Sequence, residues 1–170
     1  MERNIPLALW RTLILAQHND HSSLPQLGLP PEMFKRIAVE VGLTSINQPK
    51  KELQQLYQTL MQARKEEHRD LIALLDSHKQ KSLIYADEMV TVMASACMMP
   101  SHLWQILGFD TREQLGTLIA TYFPTLHQQN HLNMRWKRFF YKQLCEQEGD
   151  YVCKAPNCLQ CASFSECFAA

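Results

Sequence analysis

PLALWRTLILAQH, residues 6–18, is the stretch that first indicates the fold class. Its larger apolar residues recur every three or four positions, at Leu7, Trp10, Leu13 and Ile14. That spacing places them on one face of an α-helix, so we predict an amphipathic first helix over Pro6 to His18. Arg11 interrupts the apolar run and no small-residue cleavage site follows, which argues against a signal peptide.

The same helical period continues along most of the chain. Only five glycines occur in 170 residues, and we find no alternating strand pattern and no internal repeat. We therefore predict an all-α fold, a single helical domain with an irregular C-terminal cysteine-rich metal-cluster loop. The helical body takes residues 1–148, and the cysteine-rich segment of residues 149–170 belongs to the same domain.

Local signals predict several helix ends. Pro31 suits the first turn of a helix that ends at Gly42. A helix from about Lys50 either continues or breaks before EEHRDLIALLDSHK, and SLIYADEMVTVMASACMM forms another that stops before Pro100. A short helical turn over HLWQILG ends at Gly108. Thr111 and Gln114 fit a capping box, Pro124 ends that helix, and a last helix runs from about Gln129 or Asn130 to Glu146.

Charge and hydropathy exclude some classes of function. Lys+Arg and Asp+Glu are equal at 17 each, so the chain lacks the basic excess of a dedicated nucleic-acid binder. No stretch approaches the ~18 apolar residues of a membrane span. We therefore expect a cytoplasmic protein without a nucleic-acid or membrane partner, whose thiols stay reduced.

The sequence CKAPNCLQCASFSEC, residues 153–167, carries four of the six cysteines. Their spacing is C-x4-C-x2-C-x5-C, from Cys153 through Cys158 and Cys161 to Cys167. A C-x2-C pair brings two thiolates to one metal atom, and C-x4-C-x2-C also begins plant-type iron–sulfur sites. Structural zinc sites usually use two separated pairs, so spacing favours an iron–sulfur cluster over zinc, with a redox or disulfide role as a third alternative.

Other candidate ligands are less specific. Cys97 and Cys145 are most simply buried, although Cys145 is a candidate further sulfur ligand. His102 is either a core or helix-start histidine or an additional ligand. His127 and His131 have the i, i+4 spacing of a helical metal pair but are more simply a surface pair. No phosphate-binding loop, dinucleotide fingerprint or nucleophile elbow occurs, so no catalytic residue is assigned.

The stretch RWKRFFYKQLC, residues 135–145, predicts a two-sided helix. Trp136, Phe139, Phe140 and Leu144 share one face, which is most simply core. Arg135, Arg138 and Lys142 form a basic stripe that also contains Cys145. This stripe is most simply a solvated face, and the alternative is that it faces an anion or an acidic partner.

The cysteine motif, together with MRWKRFFYKQLCEQEG and MMPSHLWQILGF, resembles the NifQ family of nitrogen-fixation proteins from about Met98 to Phe168. The resemblance implies that Cys153, Cys158, Cys161 and Cys167 hold an iron–sulfur cluster containing molybdenum, a precursor of the 3Fe–4S or 4Fe–4S type. It implies a molybdenum donor for the iron–molybdenum cofactor of nitrogenase, supplied from molybdate or another molybdenum source.

The implied partners are the nitrogenase iron protein and the cofactor-assembly scaffold. On this interpretation the protein is a carrier rather than an enzyme. A zinc-stabilised helical interaction module and a redox protein that uses the cluster remain as alternatives.

Overall fold

The computed structural model describes residues 4–147, and that part of the chain is helical without a β-strand. The predicted all-α class is therefore confirmed for the body, while the cysteine-rich segment lies outside the described residues. The α-helices are α1 (Asn4–His18), α2 (Pro31–Glu40), α3 (Lys51–Ala63), α4 (Lys65–His78), α5 (Ala86–Met98), α6 (Leu103–Ile106), α7 (Arg112–Tyr122), α8 (Pro124–Gln129) and α9 (Trp136–Gln147). None of these helices is both long and apolar enough to cross a bilayer.

Helix α5 lies at the centre of the body. Ten of its residues are buried, and every residue from Val92 to Met98 is among them, so the second half of the helix is enclosed on all sides. Helices α3, α4 and α6 and a 3₁₀ turn over Pro25–Gly28 pack around it. A helix that is apolar all round is stable only when neighbours cover every face, which explains this central position.

Helix α1 packs as its spacing predicts. Trp10, Leu13 and Ile14 are fully buried, and the Trp10 indole N–H donates to the Tyr122 hydroxyl at 2.9 Å. That hydroxyl donates in turn to the carbonyl of Ile84, also at 2.9 Å. This chain of hydrogen bonds joins the first helix to α7 through otherwise apolar core.

The connection over residues 19–30 contributes to the core, although its Pro, Gly and polar residues predict a polar connection. Leu24 and Leu27 are fully buried. Gly28 has φ +71°, and a Cβ at this position would lie 2.5 Å from the Cβ of Ser95. Only glycine permits the 3₁₀ turn to approach α5 this closely.

Most predicted helix ends are confirmed. Helix α2 begins at Pro31, and Gly42 follows its end with φ +85°. The Thr111 side chain accepts a hydrogen bond from the Gln114 backbone N–H, and the Gln114 side chain accepts one from the Thr111 backbone N–H, which completes the capping box. The run from Lys50 is broken at Arg64, which separates α3 from α4.

The start of the last helix was predicted about six residues too early. Pro124 opens the short helix α8 instead of only ending α7. The Asn130 side chain then accepts from the Met134 backbone N–H at 2.8 Å and donates to the Met134 carbonyl at 2.9 Å. These bonds satisfy the backbone in a non-helical turn, so α9 begins only at Trp136.

Candidate functional site around the last helix

Helix α9 leads directly into the cysteine-rich segment, so its surroundings define the candidate site. Its predicted apolar face is confirmed, because Trp136, Phe139, Phe140 and Leu144 are all buried. The Trp136 ring meets the Phe139 ring edge-on, with ring centroids 5.8 Å apart, and the exposed His127 ring stacks on Trp136 at 5.6 Å. Aromatic packing thus attaches the first turns of α9 to the body.

A lysine on this buried side ties α9 to the end of α5. The Lys137 ammonium donates to the carbonyls of Met99 at 2.6 Å and Ser101 at 2.9 Å. Carbonyls at the C-terminal end of a helix are unsatisfied and carry partial negative charge, so a cation is favoured there. Burial lowers the pKa of Lys137, and the nearby charge of Arg64 lowers it further.

Three residues form what we call the charged cluster: Arg64 at the break between α3 and α4, Glu67 in the first turn of α4 and Tyr141 in α9. Arg64 donates from Nε to Glu67 Oε2 at 2.9 Å, from a second nitrogen to Glu67 Oε1, and to the Tyr141 hydroxyl at 2.9 Å. The Tyr141 hydroxyl donates to Glu67. Arg64 also donates to the Met98 carbonyl at 2.8 Å, so the cluster joins α9 to both α4 and α5.

The protonation states of the charged cluster follow from burial and charge. Burial tends to lower the pKa of Arg64, but the hydrogen bond and charge of Glu67 outweigh it, and the pKa is raised overall. Burial raises the pKa of Tyr141 well above its ordinary value, so its hydroxyl keeps the proton that it donates. The cluster is therefore a guanidinium–carboxylate pair completed by a neutral phenol.

Both cysteines of the body are buried, as predicted. Cys97 is fully enclosed in α5, and burial raises the pKa of its thiol to about 12. A thiol that stays protonated behaves as a small hydrophobe rather than a metal ligand. Cys145 is 8% exposed in the last turn of α9. Its predicted burial is confirmed, whereas its role as an additional ligand stays a prediction.

The predicted histidine ligands are dispersed. His127 lies in α8, whereas His131 lies beyond its end, so they do not share a helix face. His102 is exposed at the position that precedes α6, which agrees with a helix-start residue and not with a core one. Within residues 4–147, no three His, Cys, Asp or Glu side chains come together as a metal site.

The basic stripe runs along one side of α9, as its spacing predicts. Arg135 lies immediately before the helix, Arg138 lies in its first turn, and Lys142 follows Arg138 by four positions. Lys142 lies 3.7 Å from Glu146 in the same helix, so its charge is partly compensated. Burial lowers the pKa of His102, and the charges of Arg135, Lys137 and Arg138 lower it further.

The four predicted cluster ligands, Cys153, Cys158, Cys161 and Cys167, lie outside the described residues. Comparison with known proteins bears on them, because a family model described as NifQ matches residues 8–169 and so spans all four. The chain belongs to the NifQ family. This confirms the resemblance drawn from the motifs and places the chain among nitrogen-fixation proteins.

Individual NifQ proteins are similar over different lengths. Protein NifQ of Klebsiella pneumoniae is 34% identical over 167 residues, which cover 96% of this chain and 98% of the relative. Protein NifQ of Azotobacter vinelandii is 43% identical over 119 residues, covering 70% of this chain and 61% of the relative. A NifQ homolog of Sinorhizobium fredii is 44% identical over 79 residues, which are 34% of its length. No solved structure matches the chain.

The charged cluster was not predicted from the sequence. Arg64 and Glu67 lie in ARKEEH, which has the composition of a solvated charged run. The position of Lys137 could have been recognised in the sequence as unusual. Lys137 precedes Tyr141 by four positions and Leu144 by seven, so helical spacing places it on the buried side of α9. A lysine on an apolar helix face needs a partner, here the end of α5.

Proposed function

We propose that this protein carries an iron–sulfur cluster containing molybdenum and donates the molybdenum for assembly of the iron–molybdenum cofactor of nitrogenase. The observation that carries the proposal is the NifQ family match, which runs through residue 169 and includes the whole C-x4-C-x2-C-x5-C motif. Cys153, Cys158, Cys161 and Cys167 are the proposed ligands, and the cluster is the cargo.

The ligand chemistry supports this assignment. Molybdenum in water is an oxyanion with hard oxygen ligands, whereas thiolate and sulfide are soft donors that suit iron–sulfur clusters. Four thiolates from one short stretch supply the sulfur ligands of such a cluster. By contrast, the thiol of Cys97 is buried and protonated, so the body offers no competing thiolate at that position.

The body supplies a firmly attached base for this segment. Helix α9 is attached through its aromatic face, through the bond from Lys137 to the Met99 carbonyl after α5, and through the bond from Tyr141 to Glu67 in α4. Cys153 follows Gln147 by six positions, so the first proposed ligand lies within roughly 20 Å of the end of α9. A segment joined to a stable body can be presented to an acceptor without unfolding the core.

The proposed acceptors are the nitrogenase iron protein and the cofactor-assembly scaffold, in the cytoplasm. A donor of this kind binds metal firmly and releases it on contact with its acceptor. The protein therefore alternates between a loaded and an empty form, and no side chain is assigned a catalytic role.

Anaerobic purification followed by iron, molybdenum and zinc analysis tests the proposal. We expect a brown protein with broad visible absorption, a paramagnetic resonance signal and both iron and molybdenum bound. The variant Cys158→Ala should lose both metals, whereas Cys97→Ala, which removes a buried and protonated thiol of the body, should retain them. A colourless protein with one zinc per chain would instead establish the interaction-module alternative.

A further inference from the structure

Helix α3 is the least buried helix in residues 4–147, the part of the chain that the structure describes. It spans 13 residues and none of them is buried, whereas even the short helices α6 and α8 bury side chains. Its apolar face is half-buried against the core and consists of Leu53, Tyr57, Leu60 and Met61. Local opening costs least where few apolar side chains are fully buried, so α3 is the helix that can leave the body most readily.

The surface beneath α3 is partly polar. Ser95, in the enclosed half of α5, is fully buried, and its hydroxyl lies 3.2 Å from the imidazole Nε2 of His68 in α4. A Cβ on Gly28 would lie 2.6 Å from Ser95 Oγ and 3.1 Å from the Tyr57 hydroxyl, so α3 adds a phenol to this polar group. Hydroxyl, imidazole and phenol groups all form hydrogen bonds with water. Separation of α3 from the body therefore leaves none of them without a partner.

The 3₁₀ turn that α3 contacts has an unfavourable backbone conformation. Gln26 and Leu27 have φ values of +49° and +55°, and Gly28 follows at +71°. Non-glycine residues in the left-handed region are strained, and they persist where the surrounding structure holds them. The turn packs against α1, α2, α3 and α5, so α3 is one of four helices that hold it. Keeping α3 closed therefore helps to maintain this strain, which favours opening.

Both ends of α3 are followed by residues that are attached to the body. Before the helix, the Asn47 side chain donates to the His18 carbonyl at 2.7 Å, in a stretch without helix or strand. After the helix, Arg64 donates to the Met98 carbonyl at 2.8 Å and belongs to the charged cluster. Residues 48–63 thus lie between two attachments, and α3 can move without displacing the charged cluster that holds α9.

We propose that α3 is a hinged flap, which opens from the body as one unit between the attachments at Asn47 and Arg64 and uncovers Ser95 and His68. Helices α4, α5 and α9 keep their packing when the flap opens, so the movement is distinct from global unfolding. The open form exposes the apolar face of α3 together with the polar surface beneath it. The flap belongs to the helical body alone, and it stands whether or not the cysteine motif carries a cluster.

Thiol labelling of the whole protein carrying Ser95→Cys tests the flap. The introduced thiol lies under α3, and the native Cys97 lies two positions further along α5 and is equally buried. The protein is treated with excess iodoacetamide under native conditions, and tandem mass spectrometry of the peptide that contains both positions gives the two rates. We expect the introduced thiol to react at least about tenfold faster than Cys97, because only the former is reached by local opening.

A pair of substitutions in α3 makes the test specific to the flap. Adding Leu60→Ala removes part of the apolar face and should speed labelling of the introduced thiol at least about threefold, with no change at Cys97. Gln58→Ala is the matched control, because Gln58 is exposed on the same helix and should leave both rates within about twofold.

Amide hydrogen exchange of the unmodified protein gives a second measurement, which decides the matter if Ser95→Cys does not fold. Peptides from α3 should exchange at least about tenfold faster than peptides from α5, and the central amides of α3 should share one rate-determining opening. Equal labelling of the introduced thiol and Cys97, or exchange of α3 as slow as that of α5, would overturn the proposal. Labelling that slows as protein concentration rises would also overturn it, since a second copy of the chain would then cover α3.

Discussion

Replacing Glu67 with glutamine should destabilise the protein more than any other single change in the charged cluster. The carboxylate accepts two hydrogen bonds from Arg64 and one from Tyr141. Only 10% of its side chain and 19% of that of Arg64 are exposed to solvent. Glutamine keeps the shape but removes the charge, and it directs an amide donor toward a group that can only donate.

The magnitude follows from the charge left without a partner. Removing one member of a buried ion pair costs about 3–5 kcal/mol. Because Arg64 keeps some solvent contact and its bond to the Met98 carbonyl, we expect about 3 kcal/mol for Glu67→Gln. Tyr141→Phe removes only a neutral hydroxyl and should cost about 1 kcal/mol.

Urea unfolding followed by circular dichroism at 222 nm measures both values. Glu66→Gln is the matched control, because Glu66 is exposed in the same turn of α4 and should change stability by less than about 0.5 kcal/mol. Amide hydrogen exchange should also accelerate in α9 of Glu67→Gln but not in α1. If Glu67→Gln unfolds with the same free energy as Glu66→Gln, the cluster does not attach α9 and the reasoning is refuted.

Three further predictions concern the cysteines and a histidine. Cys158→Ala/Cys161→Ala should lose the proposed cluster but keep its helical circular dichroism, because the core lies within residues 4–147; collapse of helicity would favour a structural metal. The Cys97 thiol keeps its proton to about pH 12 in the folded state, whereas a cysteine thiol in the unfolded chain has a pKa of ~8.5. The free energy of unfolding should therefore fall by about 1.4 kcal/mol per pH unit as pH rises above ~8.5. Cys97→Ala should lack that component in urea titrations between pH 8 and 10, and parallel curves would contradict it. The ring of His68 lies 3.2 Å from the Ser95 hydroxyl, and burial lowers its pKa in the folded protein. The neutral ring therefore stabilises the fold above the pKa of ~6.5 that histidine has in the unfolded chain, and this stability should be lost as pH falls through the lower folded pKa. His68→Gln should show a smaller loss between pH 7 and 5, and an equal loss would exclude His68 as the cause.

Features that depend on neighbours in the sequence were predictable. The capping box at Thr111 and the buried face of α9 follow from local spacing and cap chemistry. Local spacing left open whether the run from Lys50 breaks before α4. The late start of α9 was not, because the side chain of Asn130 replaces helical hydrogen bonds with turn bonds. Propensity does not report which backbone groups a side chain satisfies.

The candidate site also has features that local sequence predicts and features that it does not. The four-cysteine motif was recognisable because its cysteines all lie within fifteen residues of sequence. The charged cluster joins Arg64 and Tyr141, which are 77 residues apart, and such a pair becomes visible only when α4 and α9 are packed.

The most direct test of the carrier proposal follows the metal itself. Protein loaded anaerobically with isotopically labelled molybdenum is mixed with the nitrogenase iron protein and the assembly scaffold, and the label in each component is measured after separation. Our account predicts that the label leaves this protein for the scaffold, and that Cys158→Ala, which cannot be loaded, transfers none. Label that stays on the protein through repeated reduction and oxidation would contradict the account and indicate a redox protein instead.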